Sequence, residues 1–151
     1  MRRPLMILIL PLFCLLLNKA NAQESMLKFS FASDGRGFQE DIIIRADSTF
    51  ITRSNMKEKA INIRVVTLKK DWEELINAIS DNKFIDLESL PSPTKSRALD
   101  GAMFSEITLL TNKKEYHCGQ FDSYNPHQKL KRLMEVMLKI RDNEKVKATD
   151  R

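Results

Sequence analysis

The chain has 151 residues, with 25 Lys+Arg against 20 Asp+Glu and a formal net charge of +5. Three of the cations, Arg2, Arg3 and Lys19, lie in the first 22 residues with no acid beside them, so the remaining chain carries +2. That balance gives little sign of the concentrated basic surface a nucleic-acid binder needs, and no nucleic-acid partner is expected.

The N-terminus reads MRRPLMILILPLFCLLLNKANAQ. Arg2 and Arg3 precede an apolar run from Leu5 to Leu17, and Ala20-Asn21-Ala22 supplies small residues for cleavage, the three parts of a secretory signal peptide. The run has 13 residues, short of the ~20 a membrane span needs. Cleavage is expected after Ala22, leaving no membrane span and a periplasmic or secreted protein; a retained anchor is the alternative. The mature chain then keeps 129 of the 151 residues, enough for one domain with a real core. It keeps Cys118 and loses Cys14, so no internal disulfide is expected. Three segments are expected: residues 1–22 as signal peptide, 23–141 as an α+β domain, and 142–151 as a disordered polar tail.

The mature chain begins with alternating apolar residues. Leu27, Phe29 and Phe31 alternate with Lys28 and Ser30, which predicts a strand over Met26–Ala32. The glycine-containing stretch 33–37 is read as a turn. Further strands are predicted at Glu40–Ala46, Thr49–Arg53 and Ile61–Val65, joined by short links into an antiparallel meander. At Leu68 the period changes. Leu68, Trp72, Leu75, Ile76 and Ile79 form the apolar stripe of a helix, with Thr67 as its expected N-cap. Residues 84–96 read as irregular, because Pro91-Ser92-Pro93 breaks regular structure. Asn125 and Pro126 are expected to open a last helix carrying Leu130, Leu133, Met134, Met137 and Leu138 inward.

Between these helices, the stretch 100–126 reads as a β-hairpin turning at Asn112-Lys113. Continuous pairing puts 109 opposite 116, 107 opposite 118 and 104 opposite 121, with Glu106 beside Gly119. Ile107, Leu109, Tyr116 and Cys118 then share an apolar face. Cys118 and His117 are adjacent, and a thiol beside an imidazole suggests nucleophilic catalysis. Strand parity sends them to opposite faces, so no dyad is expected. No metal-ligand spacing, phosphate loop or nucleophile elbow is present, and neither metal nor cofactor is expected. The remaining site hypothesis is a polar corner at the hairpin's open end, formed by Arg97, Asp100, Asp122, Tyr124 and His127. Its bland counterpart is aspartates bonding backbone amides in turns.

The helix with "DWEEL", the segment "LPSPTKSRALDGA" and the corner "FDSYNP" together resemble a family of small uncharacterised exported bacterial proteins. The similarity covers about Gly35 to Ile140, with Trp72, Asp100-Gly101-Ala102, Phe121-Asp122 and Pro126 as its most specific marks. It implies an envelope location and no chemistry. Where this chain has Asn125, family members often carry a second proline, a departure that argues against a strictly catalytic corner.

The expected fold is a two-layer α+β domain, β-β-β-β-α-β-β-α, with about six antiparallel strands and two helices on one face. The expected role is a non-enzymatic module binding an unidentified protein or envelope component, without nucleic acid. The alternatives are a small hydrolase-like or inhibitor protein using Asp100 and Asp122 as acid and base, and an assembly protein using an exposed sheet edge.

Overall fold

The structure, a computed structural model, describes residues 24–96 and 102–149. The strands are β1 (Met26–Gly35), β2 (Phe38–Ile44), β3 (Thr49–Asn55), β4 (Glu58–Val65), β5 (Phe104–Thr111) and β6 (Glu115–Asp122). The helices are α1 (Lys69–Ile79), α2 (Phe84–Glu88) and α3 (Gln128–Thr149). The strands form one open antiparallel sheet in the order β4-β3-β2-β1-β5-β6. The meander and the hairpin therefore meet on β1, which pairs on one side with β2 and on the other with β5. The fold is α+β, with helices packed on a sheet.

The core lies between one sheet face and the helices. Phe29 and Phe31 on β1 occupy its middle, each flanked by a buried residue on both neighbouring strands: Ile44 and Leu109 beside Phe29, Ile42 and Ile107 beside Phe31. Leu75 and Ile79 of α1 and Leu130, Leu133 and Met137 of α3 close it from above. Full burial of each large side chain is worth about 1.5–3 kcal/mol, so these alternating positions dominate the stability. On the opposite face Ala32, Thr52, Asn62, His117 and Gln120 are exposed.

Several boundaries differ from the sequence reading. The Thr67 hydroxyl does not cap α1; it hydrogen-bonds the Thr49 hydroxyl at 2.8 Å, and Leu68 stands at the cap position with no side-chain bond. Residues 84–88 form the short helix α2, because Leu87 is buried and Phe84 packs on Tyr116 with ring centroids 5.4 Å apart. Helix α3 starts at Gln128, two residues beyond Pro126, and continues to Thr149. The disordered tail expected from Asp142 is thus helical as far as Thr149. Arg141 turns inward at mid-helix, and Glu144 is also buried.

The hairpin register is correct near the turn and wrong beyond it. Thr108, Leu109 and Leu110 pair with His117, Tyr116 and Glu115 as expected, but Glu106 pairs with Gln120, Ser105 with Phe121 and Phe104 with Asp122. A bulge at Cys118-Gly119 absorbs one residue, with Gly119 at φ +72°. The slip lets Cys118 and Phe121 both enter the core, which unbroken alternation forbids. A Cβ on Gly119 would lie 3.0 Å from the Leu90 carbonyl oxygen, so the chain leaving α2 crosses β6 at its bulge. The free edge, β4, is bulged too, with Lys59 and Ala60 together opposite Ser54. Such irregularities disfavour edge-to-edge pairing.

Candidate functional site

The hairpin's open end is only partly within view: Arg97 and Asp100 lie outside the described residues, so the separation of the two aspartates is not defined. Asp122, at the end of β6, is 6% exposed and accepts hydrogen bonds from the Ser96 backbone N–H at 2.7 Å and from the Thr94 hydroxyl. It fastens the 94–96 segment to the sheet. Ser123 follows at φ +50° and donates its N–H to the Met103 carbonyl at 2.9 Å, turning the chain toward α3. Tyr124 stacks on Phe31 with centroids 5.7 Å apart and donates its hydroxyl to Glu40 Oε2 at 2.8 Å. Burial, with the Glu40 hydrogen bond second, pushes its phenol up to about 12. His127 Nδ1 accepts the Lys129 N–H at 3.3 Å, so its ring caps the first turn of α3. Asp122, Tyr124 and His127 are neighbours along the chain, but each is turned to a different partner.

Tyr124 belongs to an interior polar node absent from the sequence reading. The inward row at this end of the sheet runs Arg53, Glu40, Ser33, Ser105, where the adjacent row, Ile51, Ile42, Phe31 and Ile107, is apolar. Glu40 has no solvent exposure, and Arg141 Nη1 reaches its Oε2 at 2.8 Å. Burial opposes the charge on Arg141, but the Asp142 hydrogen bond and the charge of Glu40 outweigh it and raise the pKa. Strand β2, the 122–127 turn and α3 are thereby locked together. The signal was present in the sequence, since Glu40 shares the strand parity of Ile42 and Ile44. An enclosed carboxylate of this kind fastens the fold and has no surface to offer a substrate.

Residues 117 and 118 separate as strand parity predicts. Cys118 is 2% exposed, and burial pushes its thiol up to about 12, which removes the thiolate needed for nucleophilic work. His117 faces outward, with Nδ1 2.7 Å from Glu106 Oε1.

Among the described residues a concave surface lies elsewhere, where the start of β1 passes under α1. A groove of about 490 Å³ is lined by Met26, Trp72, Ile76, Ile79 and Phe84, with Glu24, Ser25, Ser80 and Asn82 as its polar members. Its volume falls in the range of small-molecule sites, about 300–1,000 Å³. Trp72 forms one wall and meets Phe29 edge-on, with centroids 5.3 Å apart and planes at 72°. The helical stripe predicted Trp72 as a core residue; it is half in the core and half in this wall. The other wall is held by hydrogen bonds to the β5–β6 turn: Ser25 N–H donates to Asn112 Oδ1 and Asn112 N–H to the Ser25 carbonyl, both at 3.0 Å. Glu24 Oε1 accepts the hydroxyls of Tyr116 and Thr111, both at 2.7 Å. No sequence signal marks the groove, because its walls are 48 residues apart in the chain at Glu24 and Trp72.

Among the described residues no cluster of three or more His, Cys, Asp or Glu is placed to hold a metal ion, and no helix is long and apolar enough to cross a membrane. No protein-family model matches the chain, and comparison with curated proteins finds no match.

Proposed function

We propose that the protein is a non-enzymatic binding module, exported to the bacterial envelope or beyond, that seats an apolar-bodied ligand or partner segment in the groove beside Trp72. The observation that carries this is the groove itself: three aliphatic side chains and two aromatic ones line about 490 Å³ of open concave surface, the composition expected of a binding site. The described groups that chemistry could have used serve the fold instead: Asp122 anchors a segment, Glu40 is enclosed and Cys118 is buried. Export rests on Arg2, Arg3, the Leu5–Leu17 run and Ala20-Asn21-Ala22. Kinship with small exported bacterial proteins is part of the same proposal and rests on the marks at Asp100-Gly101-Ala102, Phe121-Asp122 and Pro126.

Trp72 is the only tryptophan in the chain, so its emission reports on the groove. Titration with monomeric dodecyl maltoside, a neutral apolar-bodied probe, is expected to shift that emission saturably. Ile76→Gln, which places an amide in the wall, is expected to weaken binding about tenfold or more while circular dichroism stays unchanged. An unsaturable response, or equal binding by the variant, refutes the groove as the site.

A further inference from the structure

We propose that the groove selects an organic cation with an apolar body, an amphiphilic amine in chemical class. This deepens the groove reading and rests on it. Five apolar side chains supply the wall for the body of such a ligand, and the polar members of the lining are a carboxylate, two serines and an asparagine, with no basic residue. Both hydrogen bonds to Glu24 fall on Oε1, and Oε2 takes none among the described residues, so one carboxylate oxygen is left for a ligand. The Tyr116 and Thr111 hydroxyls hold that carboxyl below its ordinary range, so it is charged at neutral pH.

A second source of negative potential converges on the same place. Ile79 and Ser80, at the groove, are the last residue and the C-cap of α1, and the last turn of that helix carries no basic side chain to offset its dipole. Trp72 is an aromatic member of the lining, and an indole attracts an ammonium group through its π quadrupole. Lys113 and Lys114 act on Glu24 electrostatically from the β5–β6 turn, but neither lines the groove, and Lys114 Nζ is engaged by Glu88 at 2.9 Å.

The test uses the chain beginning at Gln23 and three monomeric probes of equal chain length: dodecyltrimethylammonium, dodecyl maltoside and dodecyl sulfate. Trp72 emission and calorimetric stoichiometry are the readouts. The cation is expected to bind at one site per chain and about tenfold tighter than the anion, attraction for one sign and repulsion for the other acting together. Glu24→Gln keeps an oxygen acceptor for Tyr116 and Thr111 and is expected to lower that ratio to about threefold or less, as is raising the salt to about 1 M. Equal affinity for cation and anion, or a preference that Glu24→Gln leaves unchanged, overturns the charge selection while the groove reading stands. Absence of a saturable response to dodecyl maltoside overturns the groove reading itself.

Discussion

Arg141 and Glu40 offer the most demanding test of how this chain is held together. Replacing Arg141 with Met keeps most of the aliphatic stem and removes the guanidinium that meets the fully enclosed Glu40 carboxylate at 2.8 Å. Stripping one partner from a buried pair costs about 3–5 kcal/mol, because the remaining charge is left in low dielectric. Glu40 keeps the Tyr124 hydroxyl and has Arg53 directly across the β2–β3 ladder, so the loss belongs at the low end, about 3 kcal/mol. Glu40→Gln removes the charge and is expected to cost less, about 1–2 kcal/mol. Arg141 keeps Asp142 in that variant, at 2.8 Å. Once Glu40 is neutral, removing Arg141 strands no charge, so the double variant should lose less than the two single losses combined, with a coupling of about 1.5 kcal/mol or more. Urea unfolding followed by Trp72 emission reads all four proteins. A loss of about 3 kcal/mol moves the midpoint by about 1–3 M at the urea dependence usual for small domains. An Arg141→Met cost below about 1 kcal/mol, the value of a surface pair, refutes the lock. Additivity of the two substitutions within about 0.5 kcal/mol refutes it equally.

Two further predictions concern the bulge and the tyrosines. Gly119→Ala is expected to cost about 2 kcal/mol or more, combining the left-handed backbone penalty with a methyl 3.0 Å from the Leu90 carbonyl. Gly37→Ala, at φ +73°, meets only the flexible Met56 side chain and is expected to cost about 1 kcal/mol; urea midpoints in the reverse order contradict the register described above. Both tyrosines are pushed up to about 12, Tyr124 by burial foremost and Tyr116 by its hydrogen bond to Glu24 foremost. The unfolded chain loses these protons near pH 10 while the folded chain retains them, so the stabilisation is complete below pH 10 and is lost as pH rises toward 12. Urea midpoints should fall across that window, and the fall should be smaller in Tyr124→Phe. Tyrosinate absorbance appearing near pH 10 in the folded protein contradicts this.

The two periodicities of the chain determined its elements and its fold class. Alternation at Phe29 and Phe31, and again at Ile61 and Ile63, defines strands by itself, and the Trp72–Ile79 stripe defines a helix, because each pattern buries one face only in one backbone geometry. Adjacency in a strand likewise settled that Cys118 and His117 cannot cooperate. The sequence was less informative wherever a residue's role depends on a partner distant in the chain. Thr67 looks like a cap until Thr49 is seen opposite its hydroxyl. By sequence Arg141 is a cation suited to the negative C-terminal end of the last helix; β2 places a buried acid beside it instead. Gly119 looks like an ordinary strand position until Leu90 crosses over it. The polar corner is expected because a hairpin brings its two open strand ends together, yet Asp122, Tyr124 and His127 turn to three separate partners. The groove has walls at Glu24 and Trp72 that only the packing of α1 over the start of β1 brings together. Local periodicity encodes which face of an element is apolar; which faces meet, and what hollow remains between them, is decided by tertiary packing alone.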